Sequence, residues 1–219
     1  MSRRDSPIDH HPKTAGAVRD RLLGEFGVSR ETVERLDRYV DLLLQWQRRI
    51  NLISPASIPE LWSRHILDSV QLVQLKPDAR QWVDLGSGGG LPGLVIACFL
   101  ADTENGRIHL VESNGKKAAF LRHAAMALSL PAEIHAQRIE EAVPQLPQPE
   151  IVTARALATL DQLIGYSNLL LKRGAIGLFP KGRDVDGELT DAQRNWHFSH
   201  TLHRSVTESA ARIVEITIS

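Results

Sequence analysis

The sequence predicts an α/β fold in which a small helical region precedes a mostly parallel β-sheet. Three observations support this fold class. After Pro77, short apolar runs alternate with helical patterns, which is typical of strands joined by crossover helices. A glycine-rich turn follows the first of these runs, where α/β proteins commonly bind ligands. The chain then closes with two segments that predict an antiparallel pair of strands.

Composition limits the function classes. The single cysteine, Cys98, excludes a disulfide within the chain and fits a reducing compartment. The N-terminus lacks a signal-peptide pattern and no apolar run approaches ~20 residues, so we expect a cytoplasmic protein without a membrane span. The 26 basic and 26 acidic side chains give a net charge of +0. Any nucleic acid would therefore bind a focused basic surface.

The N-terminal part, residues 1–76, is predicted to be a helical region. Residues 1–13 form a polar tail. Apolar residues recur at spacings of three and four from Val33 onward, which predicts a helix with Ser29 as its cap. A second helix is predicted to begin at Ser57, because Ser57 and Glu60 have the spacing of a capping box, and to end before Pro77.

Residues 77–219 are predicted to form the second domain. Its expected helices span residues 94–100, 116–128 and 157–171. Its expected strands span residues 82–85, 108–111, 134–136, 151–154, 175–179, 197–203 and 212–218. Right-handed crossovers between the first five strands would make them parallel.

The glycine-rich turn after the first strand is compatible with several nucleotide ligands. Gly88, Gly90 and Gly93 satisfy the dinucleotide fingerprint G-x-G-x-x-G. Gly88 and Gly93 also have the outer spacing of a P-loop, but Leu94 stands where that motif requires a lysine, so we reject this interpretation.

The third interpretation depends on Asp84, which precedes Gly86, Gly88 and Gly90. This pattern resembles the first motif of class I methyltransferases, and a carboxylate at the strand end suits a cationic ligand better than a pyrophosphate. Glu112 ends the second strand, where its carboxylate can accept both hydroxyls of a ribose. NAD and S-adenosylmethionine sites share that second feature.

Several segments together resemble the glucose-inhibited division protein B family, the bacterial 16S rRNA guanine-N7 methyltransferases. The resemblance runs from Leu36 to Gly182, and the Arg-His-x-x-Asp-Ser segment is more specific than the glycine loop. The matching pieces are Trp46–Ser54, Arg64–Ser69, the loop with Leu91-Pro92-Gly93, Glu112-Ser113, Lys116-Lys117, Phe120-Leu121, Arg138–Glu141, Ala154–Ala156 and Lys181-Gly182. The chain departs from the family's usual Asn-Leu-Thr at Asn51–Ser54 and has Pro180 before Lys181.

The resemblance implies a seven-stranded, Rossmann-like class I methyltransferase with S-adenosylmethionine as cofactor. The implied cofactor contacts are Gly86, Gly88, Leu91, Glu112, Ile139, Glu140 and Arg155. Leu91 and Ile139 could enclose the adenine through apolar contact. Arg155 could pair with the methionine carboxylate or instead hold RNA, and the sequence leaves both open. Guanine N7 carries a free lone pair, so no catalytic acid or base is expected. The histidines lack metal-ligand spacing, and no metal is expected.

The expected partner is 16S rRNA or the 30S subunit, bound by a monomer. The candidate RNA contacts are Arg48, Asn51, Arg64, His65 and Lys181, with Arg49 and Arg183 as further candidates. Four of these residues have a structural alternative: Arg48 and Arg49 at the helix end stabilise its dipole, Arg64 pairs with Asp68, and His65 makes a single buried hydrogen bond. The alternative functions are a methyltransferase with another substrate, an NAD-dependent oxidoreductase, and an RNA-binding module with a vestigial cofactor fold.

Overall fold

A computed structural model describes residues 15–218 and confirms the predicted sheet. Seven strands lie in the order β3-β2-β1-β4-β5-β7-β6. The first five are parallel, and β7 runs antiparallel to both β5 and β6. Their bounds are β1 Gln81–Leu85, β2 Arg107–Val111, β3 Ala132–His135, β4 Ile151–Thr153, β5 Ile176–Lys181, β6 Ser199–Arg204 and β7 Arg212–Thr217. The predicted tail, residues 1–13, lies outside the described residues.

The helices flank this sheet, and most of them agree with the sequence patterns. Their bounds are α1 Ala15–Gly24, α2 Arg30–Gln47, α3 Leu67–Leu75, α4 Gly93–Leu100, α5 Gly115–Ala127, α6 Ile139–Ala142, α7 Leu160–Lys172 and α8 Val185–Asn195. Helices α1 and α6 were not predicted individually, and neither was helix α8. It buries Val185, Leu189 and Ala192, whose spacing places them on one face against α7. Within residues 15–218, no helix has the length and apolar character that a membrane crossing requires.

One of the two predicted caps is confirmed and the other is wrong. Ser29 caps α2, and its Oγ accepts a 3.1 Å hydrogen bond from the Thr32 backbone N–H. Ser57 begins no helix. It lies inside a 3-10 helix, Pro55–Glu60, which continues through a π-helical segment, Leu61–Ile66, into α3. Proline suits the first helical position, so the turn begins at Pro55, and the Ser57 hydroxyl donates to the Ser54 carbonyl instead of capping.

The N-terminal helices share a core with one face of the sheet. Trp62 and Tyr39 are fully buried in a cluster with Ile108 of β2 and residues of α4 and α5. The opposite face packs Val83 and other strand residues against α7 and α8. The Tyr39 hydroxyl donates a 2.6 Å hydrogen bond to the Gly89 carbonyl. Helix α2 therefore anchors the glycine-rich turn directly.

Candidate functional site

A cavity of about 670 Å³ lies at the carboxyl ends of β1, β2 and β4. Its volume is in the usual range for a cofactor pocket. All seven residues predicted to contact a cofactor line it, although the chain separates them by up to 69 positions (155 − 86). They are Gly86, Gly88, Leu91, Glu112, Ile139, Glu140 and Arg155. Parallel strands that end at one edge bring these positions together, and the family resemblance implied the same set.

The glycine-rich turn forms one wall of this cavity. Gly86, Gly88 and Gly90 have φ angles of +69°, +55° and +84°, which side chains other than glycine rarely adopt. The backbone N–H groups of Gly86 and Ser87 both donate to the Val111 carbonyl, at 2.9 and 3.0 Å. A Cβ placed on Gly88 would meet only the Gly86 carbonyl, at 3.8 Å. The turn is therefore held rigidly against β2 and leaves open space in front of Gly88.

Glu112 connects this turn to the start of α5. Its carboxylate is 8% exposed and accepts from the Gly88 backbone N–H at 2.9 Å and from the Asn114 N–H at 2.7 Å. Asn114 in turn caps α5 by accepting from the Lys116 and Lys117 N–H groups. One N–H bond to each oxygen leaves further acceptor capacity on the carboxylate. The structure thus fixes an acceptor pair at the cavity wall, as a ribose diol requires.

Asp84 does not have the position that the sequence interpretation gave it. Its side chain is fully buried beneath the turn and is not part of the cavity wall. One oxygen accepts from the Gly93 N–H at 3.2 Å, and the other has no partner among residues 15–218. Burial raises the pKa of this carboxyl to about 7. Asp84 therefore holds the start of α4 and makes no direct contact with a ligand in this cavity.

Arg155 is fixed by a directional chain of hydrogen bonds. A guanidinium only donates, so its 2.9 Å contact makes His65 Nδ1 an acceptor. His65 Nε2 must then carry the proton that it donates to Ser57 Oγ at 2.8 Å, and Ser57 donates to the Ser54 carbonyl. Burial and the charges of Arg155 and Arg64 lower the pKa of His65 to about 4. His65 is therefore neutral and supports Arg155 from the N-terminal region.

A second cavity of about 710 Å³ adjoins the first. The two walls share four residues, which are Arg64, His65, Arg155 and Ala156. Asp68 lines the second cavity only, and its Oδ2 lies 3.7 Å from Arg155 Nη1. Its Oδ1 accepts from Gln71 Nε2 at 2.7 Å and from Thr207 Oγ1 at 3.0 Å. From the sequence, Asp68 was expected only as an ion-pair partner of Arg64.

The predicted RNA contacts are dispersed. Arg64 is 61% exposed at the junction of the two cavities, and its ion-pair partner is Glu60, at 3.4 Å, instead of the expected Asp68. Lys181 lines the second cavity, but its Nζ pairs with Glu188 at 2.6 Å and donates to the Ala158 carbonyl, with the side chain 9% exposed. Its charge is therefore already neutralised within the fold.

The other candidate RNA contacts lie apart from one another. Arg48 and Arg49 line a separate cavity together with Lys116. Asn51 accepts from Gln47 Nε2 at 3.3 Å and lies in neither of the two cavity walls described above. Arg183 is 83% exposed at the rim of the second cavity.

The sheet also brings together groups that sequence spacing kept apart. His109 of β2 and Glu133 and His135 of β3 place their ligand-type atoms within 4.8 Å of one another. His109 Nδ1 and His135 Nε2 are 2.9 Å apart and form a hydrogen bond. Burial lowers the pKa of His109. Spacing along the chain could not reveal this cluster, because only the pairing of β2 with β3 creates it.

Comparisons with known proteins agree with this architecture. Residues 32–217 match the family model described as rRNA small subunit methyltransferase G. A protein of that name from Rhodopseudomonas palustris strain BisB18 is 53% identical over 190 residues, covering 86% of this chain and 81% of the relative. Another from Brucella anthropi is 51% identical over 190 residues, covering 87% and 89%.

Solved structures share the fold at low identity. An O-methyltransferase from Bacillus cereus in complex with S-adenosylhomocysteine has a TM-score of 0.59 at 16% identity, with 95% of this chain and 98% of that one covered. A methyltransferase from Podospora anserina bound to the same compound has a TM-score of 0.58 at 14% identity, covering 87% and 97%. The predicted methyltransferase-type sheet, with its antiparallel terminal pair, is confirmed.

Proposed function

Because the chain belongs to the rRNA small subunit methyltransferase G family, we propose that it transfers the methyl group of S-adenosylmethionine to N7 of a guanine in 16S rRNA. The observation that carries this proposal is the single cavity at the strand ends that gathers all seven predicted cofactor residues. The protein is an S-adenosylmethionine-dependent methyltransferase by family.

The residues of the first cavity fit this cofactor. The open space in front of Gly88 admits a ligand against bare backbone. Glu112 has the acceptor capacity for two ribose hydroxyls, and Leu91 and Ile139 offer apolar surface for the adenine. We place the Glu140 segment beside the adenine amino group. When bound, the cofactor supplies a methyl group on a positively charged sulfur.

The protein's own part in the reaction is positioning. Guanine N7 attacks with a lone pair and loses no proton, so we assign no general base. Alignment of the two reactants in a shielded site supplies most of the rate enhancement of such a displacement. Arg155 lies where the two cavities meet, and among residues 15–218 its Nη2 has no hydrogen-bond partner. We propose that it holds the methionine carboxylate from this junction.

The RNA would enter over the second cavity. Arg64 and Arg183 are its exposed cations, and we propose them as phosphate contacts, with Arg48 and Asn51 reaching more distant parts of the RNA. His65 and Lys181 would act indirectly, through the side chains of Arg155 and Glu188 that they contact. An A-form helix conceals N7 in a deep groove, so the target guanine must lie in a loop or be extruded. We further propose a cytoplasmic monomer whose residues 1–76 form a helical extension of the methyltransferase domain, residues 77–219.

The deciding experiment is methyl transfer from labelled S-adenosylmethionine to purified 30S subunits and to naked 16S rRNA. The product is mapped by nuclease digestion and mass spectrometry. We expect 7-methylguanosine at one position, and Arg155→Ala should raise the Kd for the cofactor more than the KM for the RNA. Cofactor binding without transfer to either RNA would contradict the proposal and favour an RNA-binding module. Transfer to another class of acceptor would favour the rival methyltransferase.

A further inference from the structure

The second cavity joins the first at Arg155 and has a buried acidic group in its wall. Arg155 and Asp68 are each only 17% exposed, and they approach one another across the junction. A ligand bound there would lie beside whatever the first cavity holds. The cavity also has ample room for one nucleobase, at about 710 Å³.

Asp68 is held rigidly from behind. Gln71 and Thr207 both donate to Oδ1, and the Gln71 carbonyl oxygen accepts from the Val206 N–H at 3.1 Å. These bonds join α3 to the turn between β6 and β7, and Asp68 and Thr207 are 139 residues apart in the sequence. Because both donors use Oδ1, the orientation of the carboxylate is set without engaging Oδ2.

The other oxygen of Asp68 keeps its capacity to accept. Its nearest cation, Arg155 Nη1, lies at 3.7 Å, beyond hydrogen-bond distance. Oδ2 is not sealed from solvent, so it can accept from a ligand with N–H groups that enters the cavity. A phosphate would be repelled at Asp68 itself and attracted to Arg64 and Arg183 elsewhere in the same wall. The part of the wall at Asp68 therefore suits the donor edge of a neutral base.

We propose that the second cavity is the target-base pocket and that Asp68 identifies guanine by accepting its N1–H and 2-amino groups. This inference rests on the proposed function. Guanine is the RNA base that presents two adjacent donors on its Watson–Crick edge, the edge that proteins read on extruded bases. Adenine would set its N1 lone pair against the carboxylate and so lose one of the two hydrogen bonds. With that edge held by Asp68, N7 lies on the opposite side of the base, where it can face the first cavity.

The experiment compares two substrates and two enzymes. The substrates are synthetic RNAs with the mapped target guanine or with inosine, which keeps N7 and N1–H but lacks the 2-amino group. The enzymes are the wild type and Asp68→Asn, whose side chain can still accept from Gln71 and Thr207. Hydrogen bonds to a charged group typically give 10- to 100-fold discrimination. We expect the wild type to methylate guanine about 10- to 100-fold faster than inosine, and the variant to lose most of this ratio while cofactor Kd stays within about threefold.

Several outcomes would overturn the inference. A general structural defect would slow methylation of both substrates by the same factor, so an unchanged ratio in Asp68→Asn contradicts recognition of the base. Thr207→Val removes one of the two donors to Oδ1 but keeps the charge of Asp68, so it should lower the ratio less than Asp68→Asn does. If Asp68→Asn does not fold, the wild type decides alone, since a guanine-to-inosine ratio near one refutes the pocket. If the wild type methylates no guanine in 16S rRNA, the proposed function itself is refuted.

Discussion

The open space in front of Gly88 makes Gly88→Ala a sharp test of the cofactor cavity. The new Cβ would have the Gly86 carbonyl as its nearest neighbour, at 3.8 Å, so it clashes with nothing in the fold. It would stand in the cavity that we assign to S-adenosylmethionine. The substitution therefore adds a methyl group where the cofactor must approach the backbone.

Two separate effects follow from the geometry. The φ of +55° is unfavourable for alanine by about 1–2 kcal/mol, which lowers the Tm of a chain of this size by roughly 2–8 °C. The methyl group also excludes the cofactor, and we expect the Kd to rise at least about tenfold, or about 1.4 kcal/mol. The first effect acts on folding and the second acts only on binding.

Gly27→Ala is the matched control for these two effects. Gly27 has a φ of +62°, has no neighbour within 4 Å of a built Cβ, and lies outside both cavities. It should show the same loss of thermal stability without a change in cofactor Kd. Differential scanning fluorimetry and isothermal titration calorimetry measure the two quantities. Equal cofactor Kd values for the two variants would refute the assignment of the cavity.

Three further substitutions test other parts of the site. Glu112→Gln places an amide NH₂ opposite the backbone N–H of Gly88 or Asn114, so two donors face each other. Calorimetry should show a cofactor Kd raised about tenfold. An unchanged Kd would exclude Glu112 from the ribose site. The pKa of Asp84 in the folded protein, about 7, exceeds its value in the unfolded chain, so the free energy of unfolding falls by as much as about 4 kcal/mol as the pH rises from about 4 to 7. Urea denaturation at several pH values should show that Asp84→Asn removes this pH dependence. The same pH dependence in the wild type and the variant would contradict the prediction. Lys181→Met removes the ion-pair partner of Glu188 and should lower the free energy of unfolding by about 3 kcal/mol. If Lys181 instead contacts RNA directly, the substitution should raise the KM for RNA and leave the free energy of unfolding unchanged.

The sheet was predictable because its strands are short, apolar and separated by clear turns. β1, β2 and β4 are buried along almost their whole length, which produces continuous apolar runs in the sequence. Helix α8 was missed although Val185, Leu189 and Ala192 have helical spacing, since Gly187 and many charged residues weaken the pattern. The false cap at Ser57 has a similar origin: a local motif matched, but Pro55 and the π-helical segment changed the backbone.

Leu91, Ile139 and Glu140 came only from the family resemblance, whereas the glycine-rich turn and Glu112 could be predicted because they follow strands that end at one edge. The second cavity could not, since it depends on contacts between distant segments. Asp68 meets Thr207 only when the turn between β6 and β7 folds over α3. The sequence did contain partial signals, because His65 and Asp68 are three residues apart on a helix, and the predicted RNA contacts Arg64, His65, Lys181 and Arg183 line this cavity.

The charges around the junction fit the direction of the proposed reaction. Methyl transfer moves a positive charge from the sulfur to the guanine ring, so the base becomes cationic as the new bond forms. A carboxylate that holds the Watson–Crick edge is then attracted more strongly to the product-like transition state than to neutral guanine. A guanidinium close to N7 would repel the positive charge that forms on the base and so destabilise the transition state. This argument favours a contact of Arg155 with the cofactor over a contact with the base. Asp68 would therefore both select guanine and stabilise the charge that its methylation creates.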